Sequence, residues 1–313
     1  MVGGGQDAPG VGLTIGNFDG VHLGHRAMLR RLAEKARELK LACSVLTFEP
    51  HPREFFAAAA ASRAGLEPPA RLSRLREKLE LIAEEGVDRT HVLRFGASLA
   101  GLSAEKFIDE VLVRGLGVRW LLVGKDFRFG AKRTGDFGLL QEAARRFGFG
   151  VEAMADVLVD GERVSSSRVR AALAAGDLDA AARLLGRPYT MSGRVAHGEK
   201  LGRTLGCPTA NIVLRRTPAL AGIFAVEVEL EETHALRRGV ASVGRRPTVK
   251  ADAAPLLEVH LFDWQGDLYG RHLRVAFRKK LRDERKYDGL EALRAAIARD
   301  VNDAKAWFEK NNG

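Results

Sequence analysis

Ten residues near the start of the chain, GNFDGVHLGH at 16–25, place Asn17, Asp19 and two histidines, His22 and His25, within one short stretch. Imidazoles at this spacing can ligate a metal, donate hydrogen bonds to a phosphate, or cap a helix. A zinc site needs a third and a fourth ligand, and no nearby Cys or Glu offers one. The phosphate reading uses Gly24, which lets backbone approach an anion, and the helix start that follows, whose free amides attract one. Two imidazole donors there suit a phosphate whose charge rises in a transition state. A structural loop whose histidines merely cap a helix satisfies the same residues.

Other stretches carry chemistry of the same kind. VSSSRVR at 164–170 sets the hydroxyls of Ser165, Ser166 and Ser167 beside Arg168, a phosphate cradle or an ordinary capped helix. Gly198, Gly202 and Gly206 form turns that let amides approach phosphates, or tight turns of a barrel. Glu258, on LLEVHLFD, reads by alternation as a solvated strand carboxylate. Two look-alikes fail. Gly10, Gly12 and Gly16 straddle a strand, whereas a dinucleotide fingerprint puts its glycines after one. GRVAHGEK at 193–200 has Glu199 where a phosphate-binding loop requires lysine.

These residues need elements to hold them. Up to about residue 160, apolar runs (GLTIG, ACSVLTF, THVLRF, RWLLVG, VEAMADVLVD) alternate with segments of helical period, Ser103 capping one of them. That pattern predicts a doubly wound parallel sheet, with the loop of His22 and His25 in the crevice beyond its first strand and VGKDFRFG (123–130) beyond its fourth. The tract AAAAASRAGLEPPA at 57–70 reads as a low-complexity loop. After two short helices the sequence turns strand-rich, which predicts a small antiparallel β-barrel closed by a C-terminal helix. The boundary falls near Arg187, giving domains 1–186 and 187–313.

The 313 residues carry a net charge of +10, which favours anionic partners. The basic run 271–286 holds eight Lys/Arg against two acids, yet only Phe277 interrupts it with an aromatic ring, unlike a single-strand binder. Two distant cysteines, no leader-like start and no long apolar run point to a protein of the cytoplasm with no membrane and no nucleic-acid partner.

His-x-Gly-His at the first helix with VSSSRVR late in the same half resembles the nucleotidylyltransferase superfamily. The longer GNFDGVHLGH and VGKDFRFG resemble the FMN adenylyltransferase module of the prokaryotic bifunctional riboflavin kinase/FAD synthetase family. GRTLGCPTANI (202–212), ASVGRRPTV (241–249), LEVHLFDWQGDLYG (257–270) and FRKKLRDERKYDGLEALRAAIARDV (277–301) resemble its riboflavin kinase module. The resemblance runs over about residues 11 to 310, with both modules in order.

It implies a Rossmann-like N-terminal domain that adenylylates FMN to FAD, releasing pyrophosphate, and a C-terminal barrel that phosphorylates riboflavin. ATP is co-substrate of both. It implies catalytic roles for His22, His25, Arg168 and Glu258, the last as base for the ribityl hydroxyl. Gly16, Asn17, Phe18, Asp19, Gly24, Ser165, Ser166, Ser167, Gly198, Gly202 and Gly206 take ATP or its phosphates. Asp126, Phe127 and Arg128 meet flavin, while Thr209 and Asn211 hold Mg²⁺. The family usually has threonine at the position of Ser167 and often asparagine at that of Asp126, where a carboxylate accepts but cannot donate. The alternatives are a chain with one competent module and a basic nucleic-acid-binding protein on the same scaffold.

Overall fold

A computed structural model describes residues 10–64, 68–197, 207–244 and 254–311, with the side chains of 61–64 left aside. Its contacts divide the chain into two compact units: Met1–Pro69 with Leu75–Val164, and Ala70–Arg74 with Ser165–Gly313.

The first unit is an α/β layer structure. Strands β1 (Val11–Ile15), β2 (Ala42–Glu49), β3 (Arg89–Arg94), β4 (Val118–Gly124) and β5 (Gly150–Met154) make one parallel sheet in the order β3-β2-β1-β4-β5. Helices α1 (Leu23–Glu38), α2 (Pro52–Ala64), α3 (Leu75–Ala83), a short α4 (Ala97–Ala100), α5 (Ala104–Lys106) and α6 (Phe137–Phe147) connect them. Both faces of the sheet are covered, and β4 shows it. Trp120 and Leu122 join a core with Leu29 and Leu32 of α1, while Leu121 and Val123 join another with Leu140 of α6. Each such fully buried side chain stabilises by about 1.5–3 kcal/mol.

Gly12 explains how α1 lies so close to β1: a Cβ there would stand 3.3 Å from the Cβ of Ala36. The glycine once weighed as a cofactor residue is therefore a packing residue. Ser103 caps α5 by accepting from the Lys106 amide, as expected, and the helix then runs on with π geometry over Phe107–Gly115. One expectation is corrected. The alanine tract after residue 57 is helical through Ala64, because alanine has the highest helix propensity of any residue and pays no side-chain entropy. Residues 65–67 of that tract lie outside the described residues.

The second unit begins with α7 (Ser166–Ala175) and α8 (Leu178–Leu185). Strands β6 (Leu158–Val159) and β7 (Glu162–Arg163) form a small hairpin in the first unit, and six antiparallel strands follow in the second: β8 (Thr190–Arg194), β9 (Ala210–Val213), β10 (Gly222–Leu230), β11 (Ala235–Gly244), β12 (Leu256–Leu261) and β13 (His272–Arg282), in the order β8-β13-β10-β11-β12-β9. The sheet curls until its ends meet, the Ala196 amide donating to the Asn211 carbonyl at 2.7 Å. A long helix, α9 (Leu290–Lys310), buries Ala304 and Phe308 against Ala225, Val240 and Phe262. Arg282 pins this helix: its guanidinium binds both oxygens of the buried Asp300, at 2.7 and 2.6 Å. Arg282 thus belongs to the scaffold.

Candidate active sites

In the first unit, β1 ends at Ile15 and the chain turns over the carboxyl edge of the sheet, where strand order reverses between β1 and β4. Gly16 leaves room for the Phe18 ring, which lies 3.0 Å from where a Cβ would be. Phe18 and Val21 take φ of +49° and +39°, a left-handed conformation that costs about 1–3 kcal/mol each in non-glycine residues. Asp19 and His22 are buried in the same turn.

The two imidazoles stack, with centroids 3.7 Å apart and planes at 12°. His22 is the N-cap of α1, its Nδ1 accepting from the His25 amide at 3.3 Å. The capping reading thus holds for His22. His25 packs against Phe18, with centroids 5.0 Å apart, and its Nδ1 is buried without a hydrogen-bond partner among the described residues. Burial first, then the charges of His22 and Lys78, hold the His25 imidazole well below the usual histidine pKa, so it is neutral. A Cβ on Gly24 would come within 3.3 Å of the His22 ring, so this glycine makes room for the stack. Stacking spreads the two rings side by side instead of converging them on an ion, and no group of three or more metal-ligating side chains occurs among the described residues.

Beyond β4, Asp126 is held by both guanidinium nitrogens of Arg163, at 2.9 and 3.0 Å, and that pairing lowers its carboxyl pKa. Phe127 stacks on Phe129, centroids 5.4 Å apart, and Phe129 is buried in the core. Arg128 reaches back to Asp136, the N-cap of α6, at 2.8 Å. The segment leaves Phe127 only partly buried and Asp126 with its acceptor oxygens engaged by an arginine.

In the second unit, Ser165 caps α7 by accepting from the Arg168 amide at 3.3 Å, and Val169 is core. Ser166, Ser167 and Arg168 occupy its first turn. In the barrel, register places Asn211 of β9 opposite Glu258 of β12, and Glu258 opposite Ser242 of β11. The next row, Ile212, Leu257 and Val243, is core. Asn211 is buried, and its Oδ1 has no hydrogen-bond partner among the described residues. Ser242 donates to Glu284 at 2.9 Å; burial, and then the Glu258 charge, raise the Glu284 pKa. Thr209 borders a cavity of about 220 Å³ lined also by Val195, Val259, Leu261, Trp264 and Tyr269. Gly198, Gly202 and Gly206 lie outside the described residues.

Sequence reasoning missed Lys78, Thr47, Arg163, Ser242 and Glu284. The first two fall in ordinary helix and strand patterns, and only the fold brings them beside Asn17.

Two family models match the chain: FAD synthetase over residues 5–168 and riboflavin kinase over residues 185–308. A bifunctional riboflavin kinase/FMN adenylyltransferase of Pseudomonas fluorescens is 52% identical over 94% of this chain and 91% of its own length. The chain belongs to the bifunctional riboflavin kinase/FMN adenylyltransferase family. The protein of that description from Escherichia coli (strain K12) is 50% identical over 95% of this chain and 92% of its own. A solved structure described as a macrolide-efflux protein from Streptococcus pneumoniae is similar with a TM-score of 0.75 and 29% identity, covering 94% of this chain and 93% of that one. No helix among the described residues is long and apolar enough to cross a membrane. Family membership matches the two modules and their order as read from the motifs.

Proposed function

We propose that this bifunctional enzyme, a riboflavin kinase and FMN adenylyltransferase, divides its two reactions between residues 1–186, which make FAD from FMN and ATP, and residues 187–313, which make FMN from riboflavin and ATP. The observation that carries the adenylyltransferase assignment is the buried, unpartnered Nδ1 of His25 at the ligand-binding edge of a parallel sheet.

In adenylyl transfer a phosphate oxygen of FMN attacks the α-phosphorus of ATP and pyrophosphate leaves. No covalent enzyme intermediate is needed, so the chain's contribution is position and charge. His25 and His22 donate to phosphate oxygens as charge grows on them. Gly16, Asn17, Phe18, Asp19 and Gly24 shape the loop around the nucleotide. Arg168 and the hydroxyls of Ser165, Ser166 and Ser167 hold the triphosphate at the start of α7. Asp126, Phe127 and Arg128 meet the flavin: the Phe127 ring stacks, and Asp126 accepts.

In the kinase, Glu258 takes the proton of the ribityl 5′-hydroxyl as its oxygen attacks the γ-phosphorus, and ADP leaves. Gly198, Gly202 and Gly206 bring amides to the phosphates. Thr209 and Asn211 would hold Mg²⁺, and the buried, unpartnered Asn211 Oδ1 fits a hard oxygen-seeking cation. Bound there, the ion supplies neutralisation of phosphate charge. The cavity beside Thr209, with Trp264 and Tyr269 in its wall, suits a planar heteroaromatic ring. We place the enzyme in the cytoplasm, in keeping with its free cysteines, with riboflavin, FMN, FAD and ATP as its small-molecule partners.

The test is incubation of the pure protein with riboflavin, ATP and Mg²⁺, with FMN and FAD followed by chromatography. FMN should rise first and FAD follow at its expense. Neither product forming overturns the pair of activities, and FAD made by residues 187–313 alone overturns their division.

A further inference from the structure

Lys78 on α3 is 1% exposed. Its ammonium donates to the Asn17 carbonyl at 3.2 Å and to Thr47 Oγ1 at 3.1 Å, and that hydroxyl donates to the same carbonyl at 3.3 Å. Lysine is almost never fully buried, because removing an ammonium from water is costly. Position 78 is also one turn from the core residue Ile82 on the same helix face, where packing alone would place Leu or Met. The chain keeps a cation there, and the cation grips the loop that carries His22 and His25.

That loop needs gripping. Phe18 and Val21 hold left-handed backbone, so an unrestrained loop would relax. Asn17 precedes both, and Lys78 with Thr47 fixes its carbonyl from below. The charge has a second effect. His25 faces His22 in its own loop, the Phe18 ring, and Lys78 from α3; after burial and His22, Lys78 keeps it from taking a proton. The neutral imidazole is left to donate, and the Lys78 ammonium lies beneath the loop.

We infer that Lys78 is a positioning residue for adenylyl transfer: a fixed buried cation that holds the strained phosphate loop at Asn17 and presets its field for the charge developing on the polyphosphate. The inference rests on the reading that this loop binds the ATP phosphates. A preset charge needs no reorganisation as the reaction proceeds, which is why such groups act on turnover more than on substrate affinity.

The test uses the full-length protein, whose riboflavin phosphorylation serves as an internal control for folding. Lys78→Met should lower kcat for adenylylation of supplied FMN about 10²-fold, with KM for ATP changed little and FMN formation preserved. NMR of labelled imidazoles, with the His25 signal assigned by its loss in His25→Ala, should show the His25 midpoint raised in Lys78→Met. Thr47→Val removes two ordinary hydrogen bonds, one accepted from Lys78 and one donated to Asn17, and keeps the cation, so it should cost no more than about tenfold and leave the His25 midpoint low. Adenylylation by Lys78→Met within a factor of about three of wild type, far inside the expected loss, overturns the inference. So does an equal loss in Thr47→Val, which would make the contact plain scaffolding. If Lys78→Met does not fold, Lys78→Gln, which keeps a donor for Asn17 and removes the charge, is read by the same two measurements with the same outcomes. His25→Ala separates the two levels. Adenylylation surviving that change sinks the loop reading itself, whereas its collapse beside an active Lys78→Met sinks only the role of Lys78.

Discussion

Asn211 and Glu258 face each other directly across β9 and β12, one buried with an unpartnered amide oxygen and the other half-buried. Cross-strand partners have Cβ atoms about 4.5–5.5 Å apart, so the two side chains share one small region of the barrel surface. The proposed cation ligand and the proposed proton acceptor at that separation match the needs of phosphoryl transfer to a hydroxyl.

Glu258→Gln keeps the size of the side chain and removes its basicity. Kinase turnover should fall about 10²–10⁴-fold, the range for a general base, with apparent ATP affinity little changed. Adenylylation of supplied FMN should continue. The measurement is steady-state FMN formation, and turnover within about threefold of wild type, below that range, would make Glu258 an ordinary strand residue.

His25 makes the first unit sensitive to mild acid. Its folded-state pKa is held below the unfolded value of about 6.5, by burial first, then His22 and Lys78. Below that value the unfolded chain binds a proton that the folded one refuses, so stability is present above about pH 6.5 and is lost as pH falls toward the folded pKa. Thermal melting of the first unit should drop between about pH 7 and about pH 5.5, and His25→Gln, neutral throughout, should flatten that slope. His91, lowered by burial and then by Arg89, acts in the same direction and accounts for what slope remains. Identical slopes in wild type and His25→Gln would show that His25 titrates normally.

Arg282→Ala should destabilise the barrel by about 3–5 kcal/mol, because Asp300 would be left buried without its partner. The double change Arg282→Ala with Asp300→Ala should recover part of that loss. Denaturant titration of the kinase unit measures both, and no recovery would mean the arginine works through packing alone.

A fragment of residues 187–313 should phosphorylate riboflavin and make no FAD. A fragment from residue 165 should do the same and melt at higher temperature, because α8 buries Leu178, Leu184 and Leu185 and belongs to the same compact unit as the barrel. FAD made by either fragment would reverse the assignment of the two activities.

The strand–helix alternation and the barrel strands were legible because their periods, two and 3.6, are written in single runs of residues. The helix at Pro52–Ala64 was not, since an alanine tract carries no amphipathic period and its composition imitates a linker. His22 and His25 were legible as a pair, but not the division between them: which ring caps and which is left unpartnered depends on the turn at Gly16–Val21. Lys78 and Glu284 were invisible for a stronger reason. Each acts on residues 61 and 42 positions away, to Asn17 and Ser242, and no local pattern marks such a partner.

The Asn211 carbonyl receives the Ala196 amide that closes the barrel, while its side chain stays available. The two jobs at this position sit on separate atoms, and only one is written in the genetic code. Any residue except proline or one too large for the space supplies the same carbonyl on the same strand. On the proposed role of Asn211 at Mg²⁺, a descendant that lost asparagine here would keep its barrel, its abundance and its other reaction while losing one step of the pair. Such a protein would look intact by every measure of folding, and its deficit would show only as FMN that must come from elsewhere.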